Sequence, residues 1–306
     1  MKTVIMGAGA MGGLFGGLLA ASGQEVWLVD VRKEHIEALR PRGLILEEKG
    51  QENLIPIHAT TDAASLGKAD LVILFVKTYH TEKAVMDSLG LEKEDTVFLT
   101  LQNGLGNEEV LCKRIDPKKV LLGVTNQGAT LLGPGRIRHA GWGKTYLGEL
   151  DHRMTERIST IAHAFQKAGI ETEISSDIQS LVWGKLLINI GINALAALLQ
   201  IKNGQLLDYP ETRQMMGALV SEAMEVARRK GVRVEGDPIE KVMTVAEATR
   251  TNRCSMGQDL DNRRVTEIDV INGAVVREAE RLGIEVPYNR MITNLIKVIE
   301  RTYLQG

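Results

Sequence analysis

Lys185, Asn189 and Asn193 recur at four-residue intervals within VWGKLLINIGINALAALL, an otherwise apolar run from Val182 to Leu199. Read as a helix, this spacing sets one ammonium and two amides on a slowly drifting stripe, with nearly everything else fit only for burial. Hiding such groups without partners costs roughly several kcal/mol, so a satisfied polar site or a bound ligand must lie beside them. A packed polar network inside a helical domain is the alternative. Beside a carbonyl, a positioned lysine could stabilise developing negative charge on oxygen and supply the proton.

A second constellation is Gly7-Ala8-Gly9-Ala10-Met11-Gly12, which follows the apolar stretch Lys2 to Met6 and opens a small-residue helix ending near Gly23. A strand, a GxGxxG turn, a helix and a further apolar strand closing in an acid are the full context of a dinucleotide fingerprint. Gly7 permits the tight turn, Gly9 lets a pyrophosphate approach the backbone and Gly12 allows close helix packing, while the helix N-terminus attracts phosphate. Asp30 stands 18 residues after Gly12. An acid there binds the adenosine ribose hydroxyls and repels a 2'-phosphate, favouring NAD, although Arg32, Lys33 and Arg40 could grip that phosphate instead.

These residues need elements to hold them. Asp70 to Val76, DLVILFV, reads as a parallel strand covered on both faces, and Thr96 to Leu101 and Val120 to Thr125 repeat its character. Helical stretches lie between them, near Thr81 to Leu89 and Glu108 to Ile115. Leu44 to Leu46 and Leu54 to Ile57 read as strands joined by a polar turn, and Gly133 to Leu150 as short antiparallel strands at the sheet edge. Lys77 and Gln102-Asn103-Gly104 each follow a strand, and in open α/β sheets ligands bind outside such carboxyl ends. Beyond a helix at Met154 to Ala168 and a strand near Glu171, the periodicity is almost wholly helical: the Lys185 helix, then Pro210 to Lys230, Pro238 to Arg250, Gly257 to Leu282 and Pro287 to Tyr303. The expected class is α/β: a Rossmann-type doubly wound sheet over residues 1–175 and an all-helical substrate domain over 176–306.

The chain has 306 residues, 44% hydrophobic and 25% charged, with a formal net charge of -2. No basic block with interleaved aromatics suggests nucleic acid, and a lysine and two asparagines make the Lys185 run a poor membrane span. The apolar N-terminus could resemble a secretory leader, but its glycine spacing argues for the dinucleotide turn. Cys112 and Cys254 form no disulfide or zinc pattern, and the six histidines show no metal-ligand spacing, so no metal and a reducing cytoplasm are expected. Neither a nucleophile elbow nor a P-loop is present. Ser255 and Gln258 have the spacing of a helix capping box, and Glu267 reads locally as one charge on an amphipathic helix.

Taken together, GAGAMG, VKTY, QNG, LVWGKLLINIGIN, KNG, NRCSMGQD and TEIDVING resemble the ketopantoate reductases, the 2-dehydropantoate 2-reductases, along essentially the whole chain. The resemblance implies reduction of the keto group of 2-dehydropantoate to D-pantoate, the acid half of pantothenate and hence of coenzyme A. It implies Lys185 as general acid and Asn103, Asn189, Asn193 and Asn203 as substrate contacts, with Asn252 and Ser255 at the carboxylate end. Glu267 would be a catalytic contact on the substrate or nicotinamide side, and Lys77, Asn103 and Ala129 would touch the cofactor. Members usually end the second strand with an arginine that reads the NADP phosphate, where this chain has Asp30-Val31-Arg32. NADP(H) is therefore the expectation from the family and NAD(H) the expectation from Asp30. A related 2-keto acid reductase, a β-hydroxyacid dehydrogenase with its own Lys-x-x-x-Asn pair, or a dinucleotide-sensing regulator without chemistry are the competing readings. The partner expected is a small 2-keto acid brought to the cofactor in a cleft between the domains, with no nucleic acid or membrane. Apolar helices in the second domain suggest a homodimer.

Overall fold

The computed structural model describes residues 1–304. Two compact units emerge, one of Met1–Gln102 with Asn107–Ile178, the other of Asn103–Gly106 with the chain from Gln179 onward.

The first unit begins with β1 (Lys2–Met6), α1 (Ala10–Ala21), β2 (Glu25–Val29) and α2 (Lys33–Arg42), followed by β3 (Leu44–Glu48), β4 (Gln51–Ile55) and β5 (His58–Thr60). Next come β6 (Leu71–Leu74), α3 (Thr81–Ser88), β7 (Val97–Thr100), α4 (Asn107–Cys112) and β8 (Val120–Thr125). It closes with β9 (Gly128–Gly133), β10 (Arg136–Gly141), β11 (Thr145–Glu149), α5 (Glu156–Lys167) and β12 (Thr172–Ile174). The eight-stranded sheet has the order β12-β11-β8-β7-β6-β1-β2-β5. From β5 through β8 its neighbours are all parallel, whereas β11 runs antiparallel to β8.

Alternation explains why the parallel strands read as unbroken apolar runs. In β6, Leu71 and Ile73 join the core beneath α1, α2 and α5, while Val72 and Leu74 join the core beneath α3 and α4. Both faces are dry, so both sets of side chains must be apolar. β1 lies between β2 and β6, so the chain reverses its direction of sheet growth there. The turns after β1 and β6 flank this switch point, where doubly wound folds bind ligands.

Gly133 to Leu150 departs from the expectation of antiparallel strands at one sheet edge. Only β11 joins the large sheet; β9 and β10 form a second sheet, ordered β4-β3-β10-β9. Lys49 and Gly50, with φ of 49° and 80°, close the β3–β4 hairpin in the positive-φ conformation its tight turn requires. The glycines of α1 account for the second sheet. A methyl on Gly13 would stand 3.2 Å from Ile137 of β10 and one on Gly17 2.7 Å from Leu44 of β3, whereas one on Gly16 would stand 2.6 Å from Leu28 of β2. Stripped of side chains on two faces, α1 lies close to both sheets at once.

The second unit is helical: α6 (Ile178–Leu198, its first residue in the first unit), α7 (Pro210–Arg229), α8 (Pro238–Ala248), α9 (Ser255–Asp261), α10 (Asn272–Leu282) and α11 (Pro287–Leu304). By length and composition α6 could cross a membrane. Here it is the core helix, with Trp183, Leu186, Leu187, Ile190 and Ala194 all buried against the helices around it. The single helix expected from Gly257 to Leu282 is broken. Arg263 turns to φ 51°, and the buried Glu300 carboxylate accepts the Thr266 N–H at 2.7 Å, holding the chain in an irregular path until α10 begins. Glu267 sits in that break.

Gly12 is the tightest point of the first unit, because a Cβ there would lie 1.9 Å from the Gly7 carbonyl oxygen. Gly12→Ala is expected to lower the unfolding free energy by about 1–3 kcal/mol in urea titration, since backbone must move. Gly9→Ala, whose methyl meets nothing within 4 Å, should change it far less. Equal midpoints for the two variants would refute this packing argument.

Candidate active site

In the first unit, Gly7 to Gly9 make the turn from β1 into α1, and Ala10 to Gly12 are the first residues of that helix. Gly7 has φ 101°, its N–H donates to Val29 O at 2.8 Å, and a Cβ on it would meet Val76 N at 2.6 Å. The turn after β1 is thereby seated on the end of β2 and against the turn after β6. Gly9 is the N-cap of α1, with open space where a side chain would stand. A dinucleotide pyrophosphate fits such an uncovered, helix-opening backbone, so the residues present suit the group. Ala8 is fully buried, its methyl in the core, whereas Gly9, Ala10 and Met11 are partly exposed.

Asp30 follows β2 immediately, and its carboxylate receives Arg32 Nε at 2.9 Å and Arg32 Nη2 at 2.9 Å. Lys77 stands in the turn after β6, partly exposed. Gln102, which sequence reasoning noted only as part of QNG, braces that turn: its amide donates to Val76 O at 2.7 Å and to Thr81 Oγ1 at 2.8 Å. Ala129 lies on β9, opposite His139 in the register with β10, and is half-buried against the core that includes α1. The structure thus gathers the glycine turn, Asp30 and Lys77 at the carboxyl edge of the parallel sheet, while Ala129 belongs to the second sheet.

The second unit gathers the other set. Lys185, Asn189 and Asn193 project from successive turns of α6. Burial pulls the Lys185 pKa down from the usual lysine value to about 8, with the negative charge of Glu267 opposing the fall. Glu267 is itself buried, and Asn103 Nδ2 donates to its Oε2 at 3.4 Å. Asn103 reaches it because the Asn103–Gly106 segment belongs to this unit: Leu105 N donates to Val270 O at 2.9 Å, and Gly104, at φ 84°, leaves no room for a Cβ against the same carbonyl.

The remaining predicted residues are fastened to the far half of α6. Arg253 Nη1 donates to Ala196 O at 2.7 Å and to Ile201 O at 2.9 Å, and Cys254 Sγ donates to Asn193 O at 3.3 Å. Asn203 N donates to Asn252 O at 3.0 Å, so the KNG and NRCSM segments run together. Asn203 Nδ2 reaches Thr249 Oγ1 at 2.9 Å, but its Oδ1 is buried without a partner. An orphaned buried carbonyl is what a ligand hydroxyl would satisfy. Ser255 is not the helix cap its spacing suggested. Cys254 caps α9, its sulfur accepting Gly257 N–H at 3.2 Å, and the exposed Ser255 is the first helical residue.

Sequence reasoning missed the braces: Arg253, Cys254, Gln102 and Glu300 all act on backbone groups far away in the chain, which leaves no periodic signal. Among the described residues no cluster of three or more His, Cys, Asp or Glu could hold a metal ion.

Residues 3–152 match the family described as "Ketopantoate reductase PanE/ApbA", and residues 177–300 match that family's C-terminal part. The chain is 36% identical over 302 residues to a 2-dehydropantoate 2-reductase of Halobacterium salinarum, covering 98% of this chain and 99% of that protein. It is 37% identical over 301 residues to that of Pyrococcus horikoshii, with 98% of each covered. Among solved structures, a PanE/ApbA family ketopantoate reductase from Ralstonia eutropha superposes with a TM-score of 0.93 at 32% identity, covering 99% of this chain and 100% of that one. D-mandelate dehydrogenase, solved with NADH and anilino(oxo)acetate, superposes with a TM-score of 0.92 at 30% identity and the same coverage. A half-buried lysine with a carboxylate and amides in one unit, a glycine turn of dinucleotide-binding pattern in the other, and a match running through both lead to one conclusion: the chain belongs to the ketopantoate reductase family.

Proposed function

We propose that this chain reduces the keto group of 2-dehydropantoate to the alcohol of D-pantoate, using a reduced nicotinamide dinucleotide. The observation that carries the reading is Lys185, lowered to about 8 on an apolar helix beside the carboxylate of Glu267. The bound cofactor supplies the hydride. Everything else falls to the protein. Gly9 with the backbone of Ala10 and Met11 holds the pyrophosphate, on a turn that Gly7, Ala8 and Gly12 shape, and Lys77, Asn103 and Ala129 contact the remainder of the cofactor.

As the keto carbon is reduced, negative charge gathers on its oxygen. The Lys185 ammonium stabilises that charge and transfers the proton, a task for which a pKa near working pH is suited. Glu267 orients the ammonium and keeps it protonated. Asn189, Asn193 and Asn203 bind the polar groups of the substrate, and Asn252 and Ser255 receive its carboxylate end. An inert dinucleotide sensor has no use for this proton donor.

A second reading, reduction of another 2-keto acid, is favoured by the likeness to a D-mandelate dehydrogenase solved with anilino(oxo)acetate, itself an oxo acid. Turnover of 2-dehydropantoate against a panel of 2-keto acids and 3-hydroxy acids decides between them; higher kcat/KM for another member of the panel would replace the proposed substrate. Both cysteines are free thiols, which suits the cytoplasm. A homodimer completes the proposal. Tyr288, Met291, Leu295 and Val298, 42% to 56% exposed, are spaced three, four and three residues apart along α11, a seam that the same seam of a second copy can cover about a two-fold axis. Sedimentation should report a dimer that Leu295→Glu dissociates, and a monomeric parent would exclude it.

Lys185→Ala should lower kcat by about two orders of magnitude or more while nicotinamide fluorescence still reports cofactor binding. Near-normal turnover of folded variant would remove Lys185 from the reaction. Because the lysine must carry its proton, reduction should be fast below its pKa and decline as pH rises through about 8. Glu267→Gln deletes the charge that holds the pKa up, so the declining limb should move to lower pH. A limb that stays in place would mean that a different group donates the proton.

A further inference from the structure

The exit of β2 holds an anion already committed to its own cation. The Asp30 side chain is 9% exposed and that of Arg32 45%. Oδ1 accepts both the Arg32 backbone N–H at 3.0 Å and Nε at 2.9 Å, while Oδ2 accepts only Nη2, at 2.9 Å. Oδ2 therefore keeps a lone pair for a hydroxyl. The Asp30 N–H donates to Thr60 O at 3.3 Å, so the residue is anchored to β5 as well as β2. Burial alone would raise the carboxyl pKa, but the hydrogen bonds and charge of Arg32 outweigh it and hold it below the ordinary aspartate value. The group is an anion at neutral pH.

The neighbouring cations are engaged or displaced. Arg32 turns two of its donors onto Asp30, and Arg40 Nε donates to Ala59 O at 3.2 Å. His35 is buried, its Nδ1 accepting Gly135 N–H at 3.2 Å, and burial with the charge of Arg32 lowers its pKa, leaving it neutral. Lys33 is exposed on the first turn of α2, next to Glu34.

We propose that Asp30, held by Arg32, makes this chain an NADH enzyme: Oδ2 accepts a hydrogen bond from the adenosine ribose, and the carboxylate excludes the 2'-phosphate of NADPH. This rests on the dinucleotide reductase reading and departs from the arginine expected of the family at the end of this strand. To receive the phosphate, Arg32 would have to give up a bidentate ion pair, and the carboxylate it released would face the incoming anion.

Titration of the full chain with NADH and with NADPH by nicotinamide fluorescence, alongside kcat/KM for each with 2-dehydropantoate, tests the proposal. NADH should bind tighter by roughly ten- to a hundredfold, the range set by one charged hydrogen bond. Asp30→Ser should weaken NADH and strengthen NADPH, since Arg32 is released to the phosphate. Asp30→Asn, which keeps an oxygen for Arg32 and removes the charge, should narrow the ratio with little change in unfolding temperature. Arg32→Ala should leave NADPH weak, because the carboxylate remains. NADPH binding as tight as NADH in the parent, or equal loss of both cofactors in the Asp30 variants, would overturn the proposal and leave the reductase reading standing. Binding of neither dinucleotide overturns both.

Discussion

An ammonium on an apolar helix is tolerable only if an anion and polar groups are held beside it, and much of the irregular backbone in the second unit serves that requirement. Lys185 could not sit among Val182, Leu186 and Leu187 of α6 if the α9–α10 connection were helical, because Glu267 would then be one more surface charge. The break at Arg263 and the grip of Glu300 on Thr266 N bring Glu267 to the lysine instead. The Asn103–Gly106 segment, chemically a strand-end turn, is tied to the same connection through Val270 O. The burial penalty on the ammonium is opposed by the charge of Glu267, whose segment two other stretches of chain hold in place, and what remains of it appears as a pKa lowered to about 8.

The first unit answers to a steric constraint rather than an electrostatic one. α1 approaches the large sheet and the second sheet together, and glycine at positions 12, 13, 16 and 17 leaves room for both, most strictly at 12, where the neighbour is backbone. The same closeness fixes the turn before α1, since the Gly7 carbonyl occupies the space a Gly12 side chain would need. Packing and the proposed phosphate binding therefore draw on one set of residues, and a change made for either would affect the other.

Family membership and individual chemistry occupy different residues. Lysine, amides and glycine turn are shared features of the resemblance, while the Asp30–Arg32 pair stands where the resemblance implies an arginine, and its proposed consequence follows from charge and hydrogen bonding together. Such a departure is readable because hydrogen bonds from Arg32 define which oxygen of the carboxylate remains available.

Local signals lay open in the chain: the glycine fingerprint, the apolar runs of the parallel strands, the β3–β4 hairpin and the polar stripe of α6 all act over a few residues, within reach of periodicity. Resemblance extended this to Asn203, Asn252, Ser255 and Glu267, for which spacing alone offered only turns, caps and surface charge. What tertiary structure decided was every long-range bond. It moved β9 and β10 into a second sheet, divided the helix expected from Gly257 to Leu282, passed the cap of α9 from Ser255 to Cys254, and made Arg253 a clamp on the end of α6. The physical reason is common to all four. A backbone carbonyl or amide looks the same at every position in a sequence, and only the folded chain determines which distant side chain or strand will satisfy it.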